Sequence, residues 1–276
     1  MNGFAWEERI DAPDLAWARI GVGLAAMAEG VYATMLFDKA TTPGVLRVPV
    51  ADWLPAPGVF LALLLGGIWL VASGGFIAGV RTRTCGVALA ATMAFTIMWD
   101  RQFYSSHLYL LSLLVVLLTV ANAGGYRSVD ARAGEAPDAS PAWAVFLVRG
   151  QVSIVYLFTA LATVQLAYAS EATLAASLRD VGPLAFPAAW RTPDVVAVFA
   201  VAYIGTALWL ATALWSARRR RTATIVGVAF HAALIAVAAD ALGFAILGLA
   251  MVSAYAAFYV PLPTAAYAEE MEPQEA

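Results

Sequence analysis

Charged residues and cysteines are both scarce in this chain. Asp, Glu, Lys and Arg make up 13% of its 276 residues, against about a quarter in a soluble globular protein. The formal net charge is −3, so the chain lacks the basic surface of a nucleic-acid-binding module. One cysteine, Cys85, cannot form an internal disulfide, which excludes a secreted disulfide scaffold. The chain is instead 62% hydrophobic with a mean hydropathy of +0.77, which excludes disorder and indicates a polytopic membrane protein.

Motifs for metal, nucleotide or hydrolase chemistry are also missing. The two histidines and the single cysteine do not form an HxxxH, HExxH or CxxC spacing, so the sequence contains no metal motif. There is no GxSxG motif, no phosphate-binding glycine loop and no dinucleotide fingerprint in a strand–helix setting. Any function must therefore come from polar groups within the apolar segments.

Long apolar segments predict an all-α, polytopic transmembrane helix bundle of about eight spans. The predicted spans are Ala16–Phe37, Gly58–Val80, Thr84–Phe103, Ser106–Ala123, Ala142–Ala169, Asp194–Ala217, Thr222–Ala239 and Ala241–Val260. They form one transmembrane domain over residues 16–261. Residues 1–15 are predicted to be a cytoplasmic or interfacial segment, and the acidic tail at 262–276 is predicted to be disordered.

Two polar connections and one short hairpin complete the predicted organisation. Gly124–Pro141 is rich in Gly, Ala, Asp and Pro and predicts a flexible cytoplasmic connection. Ser170–Pro193 predicts an outer loop with a short interfacial helix. Only Asp240 separates the last two spans, so the sequence leaves open whether residues 222–260 form two full crossings.

The distribution of arginine and lysine predicts the orientation of the bundle. With the N-terminus inside, ten basic residues lie in cytoplasmic segments and five in outer loops. The run Arg218–Arg221 accounts for most of this bias and is typical of an anchor against anionic lipid. The sequence therefore predicts an inner-membrane protein with both termini in the cytoplasm.

Ionisable residues within the spans are candidate site residues, because each is costly in hydrocarbon unless it is paired or functional. The sequence-based catalytic candidates are His107, Asp100, His231 and Glu29. Counting about 1.5 Å per residue along each predicted helix places most of these groups in the outer half of the bundle. The same count places Arg149 toward the cytoplasmic half.

A structural explanation remains open for several of these residues. Asp100 and Arg101 can form a satisfied pair at a helix end. His107 follows two serines that make a good helix N-cap, so it can be a hydrogen-bonded structural group. Arg149 and Gln151 can tie spans together by bonding to carbonyl groups or to Glu29.

Three segments resemble the HTTM (horizontally transferred transmembrane domain) family, which includes the vitamin K-dependent γ-carboxylase. The stretch from Trp99 to His107 and Leu111 resembles the family's Asp…Asn-His-x-Tyr-Leu segment. The helix beginning at Trp143 resembles its Leu-Arg-x-Gln-x-x-Ile-Val-Tyr-Phe-x-Ala-Gly helix, with Arg149, Gln151 and Tyr156 at the matching positions. Phe230-His231 followed by Leu-Gly-x-Phe resembles a third segment.

The resemblance implies a helical bundle with a polar pocket that opens toward the outer side and binds a quinone, a lipid or an exported peptide. The binding candidates are Arg101, Arg149, Gln151 and Thr163, which are polar residues within the spans, and Tyr104 and Tyr156, which lie in the segments that resemble the family. Thr163 stands where the family's catalytic lysine is expected, and a threonine cannot supply an amine. A short acidic tail follows the bundle where the carboxylase has a large lumenal domain, so glutamate carboxylation is not expected.

Two classes of function remain open from the sequence. The first is a membrane enzyme or maturation factor in which one histidine accepts a proton and a carboxylate orients it. The second is a non-enzymatic scaffold, a binding subunit or a small-solute carrier. The expected partners are the lipid bilayer and either a small exported peptide or a partner membrane protein, with no nucleic acid.

Overall fold

The computed structural model of the protein describes residues 8–41, 48, 50, 53, 58–137, 139–169 and 192–262. Most of the predicted Ser170–Pro193 loop and of the predicted disordered tail lies outside the described residues. So does most of the connection between the first two spans.

Each of the eight predicted spans corresponds to a helix. The helices are α1 (Leu15–Thr41), α2 (Val59–Ala78), α3 (Thr82–Trp99), α4 (Ser106–Val120), α5 (Val129–Ala133), α6 (Ala142–Ala169), α7 (Pro193–Ala213), α8 (Arg220–Val237) and α9 (Ala241–Ala254). Among the helices that the structure describes, the short α5 alone was not predicted. Turns of 3-10 helix at Arg101–Phe103 and Tyr255–Tyr259 replace the predicted ends of the third and eighth spans.

A two-residue antiparallel pair joins the N-terminal segment to the start of α6. Strand β1 (Arg9–Ile10) pairs with β2 (Ser140–Pro141). The pair holds the beginnings of α1 and α6 at the same end of the bundle.

Local capping sets several helix ends. The hydroxyl of Ser105 accepts a hydrogen bond from the Leu108 N–H at the start of α4, as the sequence predicts. The carboxylate of Asp240 accepts one from the Gly243 N–H at the start of α9. This cap makes α8 and α9 two separate helices, which resolves the hairpin that the sequence left open.

The Gly124–Pro141 linker differs from the flexible connection predicted by the sequence. It carries α5, and the Ser128 hydroxyl bonds to the Gly124 carbonyl and caps α5 through the Ala131 N–H. The Asp130 carboxylate accepts hydrogen bonds from the Arg81 N–H, the Thr82 N–H and the Thr82 hydroxyl. Asp130 therefore caps α3 from a distant part of the chain, which fixes the linker against the bundle.

Five helical segments of the described chain are long and apolar enough to cross a membrane. They are α2, α6 over Ala142–Gln165, α7, α8 and the segment Ala241–Tyr259 that joins α9 to its 3-10 turn. Helix α1 packs against α2, α4 and α9, while α3 packs against α2 and α4. The apolar core lies mainly between α1, α2, α3, α4, α6 and α9. The architecture is therefore an all-α membrane helix bundle, as predicted.

Helices α7 and α8 lie at the periphery of this bundle. Only 22% of the α7 span and 17% of the α8 span are buried within the protein, against 50% for Ala241–Tyr259. Most of the surface of α7 and α8 is therefore left to face lipid.

Two ends of the bundle are useful reference points. The Arg19 end comprises the start of α1 and the loop 121–128 after α4. The Asp240 end comprises the starts of α4 and α9. The rise along α4 separates the two ends by about 20 Å. Which end faces the cytoplasm stays a prediction.

Candidate functional site

Glu29 and His107 form a buried pair between α1 and α4. The Glu29 Oε2 atom lies 3.1 Å from the His107 Nε2 atom. The two residues are 3% and 8% exposed. Neither atom makes a hydrogen bond of good geometry, although the distance is that of an ion pair. Buried polar atoms without a hydrogen-bond partner call for an explanation, and a catalytic or ligand-binding role is one, so this ion pair is a candidate site.

The start of α9 packs against the imidazole of His107. A Cβ atom placed on Gly243 would lie 3.0 Å from the His107 Cε1 atom and would overlap the Asp240 carboxylate. Glycine is therefore what allows the capped N-terminus of α9 to approach the histidine so closely. The residues Glu29, His107, Asp240 and Gly243 are called the His107 site below.

Asp100 lies at the same end of the bundle, but its carboxylate is held by the backbone. It accepts hydrogen bonds from the Gln102 N–H at 2.9 Å and the Val48 N–H at 3.2 Å. The Arg101 N–H donates in turn to the Val48 carbonyl at 2.9 Å. Asp100 is 2% exposed, so it is a buried carboxylate that fixes the turn between α3 and α4. Its contacts are with the backbone rather than with the Arg101 guanidinium.

A second polar cluster lies deeper in the bundle and is called the His231 site. The Tyr156 Oη atom lies 2.9 Å from the His231 Nε2 atom and also hydrogen-bonds to the Tyr255 Oη atom. The three residues are 2%, 5% and 1% exposed. The other ring nitrogen of His231, Nδ1, has no hydrogen-bond partner.

Helix α9 separates the two histidine sites. Gly243 faces His107, and Gly248 faces His231, where a Cβ atom would lie 3.1 Å from the His231 Cβ. Five residues correspond to about 7.5 Å along the helix axis and place the two glycines on different sides of α9. The structure therefore brings Glu29 to His107 and Tyr156 to His231, but it keeps the two histidines apart.

Arg149 ties α6 to the 3-10 turn Tyr255–Tyr259 and the residue that follows it. Its guanidinium donates hydrogen bonds to the carbonyls of Ala257 and Val260. The Trp215 and Phe258 rings flank it, with centroids 6.0 and 5.7 Å from Cζ. Bonding to carbonyl groups is one of the two structural roles that the sequence left open for Arg149, and Glu29 takes no part in it.

The remaining binding candidates are not gathered at either histidine. Thr163 donates to the Thr159 carbonyl of its own helix at 2.9 Å, and Gln151 is half-buried on α6. Arg101 and Tyr104 are exposed, and the Tyr104 ring packs against Tyr109. The structure places these four residues along the bundle rather than in one cluster.

Two residues of the polar clusters were not singled out from the sequence as site residues. Tyr255 completes the His231 site, and the only sequence signal was Gly227, whose missing side chain makes room for the Tyr255 ring. Arg19, fully buried, donates to the carbonyls of Ala123 and Arg127 at 3.0 and 2.8 Å. It therefore organises the loop after α4 at the Arg19 end.

A cavity of about 300 Å³ lies at the Arg19 end, around the start of α3 and the linker. Its lining includes Arg81, Arg83, Asn122, Asp130 and Glu135. This is the opposite end of the bundle from the His107 site. The outward-facing pocket inferred from the sequence therefore stays a prediction. Across the described residues, no three or more His, Cys, Asp or Glu side chains cluster as metal ligands would.

Comparison with known proteins identifies one family. A family model for the HTTM domain matches residues 8–247, which takes in His107 and His231 but ends before Tyr255 of the His231 site. No curated protein and no solved structure is similar enough to this chain to count as a match.

Proposed function

This chain belongs to the HTTM family, and from that premise we propose that it is a bacterial inner-membrane protein that acts on a quinone, a lipid or an exported peptide at the His107 site. The observation that carries the proposal is the buried Glu29–His107 pair, with 3.1 Å between Oε2 and Nε2 and no hydrogen bond to either atom. Thr163 replaces the lysine of the carboxylase pattern, so the proposal does not include carboxylation of glutamate.

The chemistry that suits this pair is proton transfer. Because the Glu29 carboxylate faces Nε2, it favours the imidazole form that carries its hydrogen there. The lone pair on Nδ1 is then the proton acceptor. When a substrate proton moves to Nδ1, the carboxylate stabilises the imidazolium that forms.

The other two catalytic candidates, Asp100 and His231, lie outside this pair. Asp100 is a positioning residue, since its hydrogen bonds to the Gln102 and Val48 N–H groups fix the turn that leads into α4. His231 supplies a second imidazole deeper in the bundle. With both termini in the cytoplasm, the His107 site faces the outer side of the membrane, where a quinone, a lipid or an exported peptide is accessible.

A second candidate is a non-enzymatic membrane scaffold, binding subunit or small-solute carrier. The observation in its favour is that three buried charged groups make their hydrogen bonds with the backbone. Arg19 and Arg149 donate to carbonyl groups, and Asp100 accepts from N–H groups. Buried charges used in this way hold helices together and perform no chemistry.

Paired variants distinguish the two candidates. Glu29→Gln and His107→Gln are expressed in a strain lacking the gene, with Glu135→Gln as the control because Glu135 is an exposed carboxylate at the other end of the bundle. Exported peptides and membrane extracts are compared by mass spectrometry, and thermal unfolding is followed by tryptophan fluorescence. The proposal expects both site variants to lose at least 90% of a product or bound molecule present with the wild type, with unfolding near that of the control.

Two results would count against the enzymatic proposal. The first is an unchanged molecular profile in both site variants. The second is a loss of thermal stability in both site variants that is large enough to explain the change in the detected molecules. That result would favour the non-enzymatic candidate.

A further inference from the structure

The His231 site contains a chain of hydrogen bonds, and the chemistry of its members indicates which atom donates in each bond. The chain runs from Tyr255 Oη through Tyr156 Oη to His231 Nε2. Each hydroxyl donates one hydrogen bond, and a neutral imidazole has one donor and one acceptor nitrogen. Because Tyr156 has one hydrogen to donate, three arrangements are possible: donation from Tyr255 toward His231, the reverse, or both neighbours donating to the Tyr156 oxygen.

Only one arrangement uses every hydroxyl hydrogen. If Tyr255 donates to Tyr156, and Tyr156 donates to Nε2, both hydroxyl hydrogens have acceptors and the imidazole hydrogen lies on Nδ1. In the reverse direction the Tyr255 hydrogen has no acceptor among the described residues, and the Nδ1 lone pair also has no partner. If both neighbours donate to the Tyr156 oxygen, the Tyr156 hydrogen has no acceptor among the described residues. Buried polar groups are nearly always paired, so the first arrangement is favoured.

We infer that Tyr255 and Tyr156 hold His231 as a neutral imidazole with its hydrogen on Nδ1, and that this N–H binds the carbonyl oxygen of an apolar molecule within the bundle. His231 is 5% exposed, and its Nδ1 has no partner in the protein. An orphaned donor so deeply buried requires an acceptor from elsewhere. The inference concerns a site separate from the His107 site and so goes beyond the proposed function.

The apolar surroundings of His231 favour a neutral ligand over a charged one. The Phe230 ring lies 5.5 Å from the imidazole, and among the described residues the hydrogen-bond partners of the ring are limited to Tyr156. Such an environment disfavours a charged ligand, because no opposite charge compensates its desolvation. A neutral carbonyl group on an apolar body satisfies the N–H without that cost.

The position of α8 gives such a molecule a route from the bilayer. His231 is carried by the candidate span with the least buried surface, 17%. Gly248 leaves the Nδ1 edge of the ring without a side chain over it, since a Cβ there would lie 3.5 Å from Nδ1. A carbonyl oxygen hydrogen-bonded to Nδ1 would need to lie at about 2.9 Å, so a methyl group at Gly248 would compete with it.

The position of the hydrogen on the His231 ring can be measured directly, because the chain has only one other histidine. In His107→Gln protein, His231 is the single histidine, so ¹⁵N-histidine solid-state NMR in lipid nanodiscs reports on one ring. We expect Nδ1 to carry the hydrogen in the His107→Gln protein. Adding Tyr156→Phe should convert this single form into a mixture of both neutral forms. Tyr259→Phe is the matched control, because its hydroxyl bonds to Thr224 rather than to the His231 site, and it should leave the imidazole unchanged.

The second part is tested with two sources of carbonyl oxygen. The same protein is placed in ether-linked lipids, in ester-linked lipids, and in ether-linked lipids with the short-chain quinone ubiquinone-1. A downfield change of the Nδ1–H signal with ester-linked lipid identifies a lipid ester, and one with ubiquinone-1 identifies a quinone. Adding Gly248→Ala should abolish the change while leaving the hydrogen on Nδ1.

Three outcomes would overturn the inference. The first is a hydrogen on Nε2 in the His107→Gln protein. The second is an Nδ1–H signal that is the same in all three preparations, as expected if a buried water or no group at all binds there. The third is an undiminished signal change in Gly248→Ala. Because His107 is absent from every sample, none of these outcomes depends on the proposed function.

Discussion

Arg149 and Glu29 are both buried ionisable residues, but their surroundings give them different roles. The Arg149 guanidinium has two carbonyl partners and two flanking aromatic rings. The Glu29 Oε2 atom faces an imidazole at 3.1 Å without a hydrogen bond. A satisfied charge stabilises the packing of helices, whereas an incompletely satisfied one is expected where a ligand or a proton completes the site.

Replacing Arg149 should therefore destabilise the protein. Arg149→Gln removes the donors to the Ala257 and Val260 carbonyls and leaves both buried without a partner. We expect a loss of about 2–4 kcal/mol in unfolding free energy, since each lost bond to a charged donor costs about 1.5–3 kcal/mol. Tryptophan fluorescence during denaturation in detergent measures it. Arg132→Gln, at an exposed position on α5, is the control. Equal stability of the two variants would contradict the structural role.

Helix α3 shows how an element depends on a distant part of the chain. Its N-cap residue, Arg81, provides no side-chain cap, and Asp130 of α5 supplies the acceptors instead. Partial burial acts to raise the pKa of Asp130. Hydrogen bonds from Thr82 and Arg81, together with the nearby Arg19 guanidinium, outweigh it and lower the pKa of Asp130 below its usual value.

The lowered pKa gives the stability of this element a pH dependence. A carboxyl group with a lower pKa in the folded state contributes stability above its unfolded pKa, about 3.9, and that contribution is lost as the pH falls through the folded value. Asp130→Asn keeps an acceptor oxygen but removes the charge, so it should lower the unfolding free energy by about 1 kcal/mol at neutral pH. The difference from the wild type should shrink below about pH 4.

Denaturant unfolding at a series of pH values measures this difference. Glu135→Gln, which removes an exposed carboxylate of the same linker, is the control and should show no such pattern. A difference for Asp130→Asn that stays constant from pH 7 down to pH 3 would show that the carboxylate charge is not what caps α3.

The two sides of the bundle carry different numbers of basic residues, and this difference predicts its orientation in the membrane. The described linker and the Arg218–Arg221 run lie on the side with more basic residues, so the sequence predicts that side to be cytoplasmic. The cavity at the Arg19 end would then face the cytoplasm, and the His107 site would lie toward the outer side.

Cysteine labelling tests this orientation. Cys85→Ser removes the single thiol, and a new cysteine is introduced by Trp53→Cys or Glu135→Cys, both at exposed positions. In intact spheroplasts a membrane-impermeant maleimide should label Trp53→Cys at least tenfold more than Glu135→Cys. Permeabilisation should equalise the two, and Cys85→Ser alone should stay unlabelled. The reverse pattern would invert the predicted topology.

The sequence by itself determined the helices and the membrane class of this protein. Apolar runs and the Ser105 cap are local features, and local hydrogen bonding follows directly from them. The short α5 and the Asp240 cap that divides α8 from α9 were established by the structure. The family resemblance and the short set of buried ionisable residues were also available from the sequence.

Only the tertiary structure decided which polar groups meet. Glu29 pairs with His107 across 78 positions in the sequence, and Tyr156 with His231 across 75. A membrane helix is apolar toward lipid as well as toward its neighbours, so hydrophobic periodicity does not mark the face that it buries. The rotation of each helix, and hence its polar contacts, depends on close packing at positions such as Gly243 and Gly248, which is established only when the helices assemble.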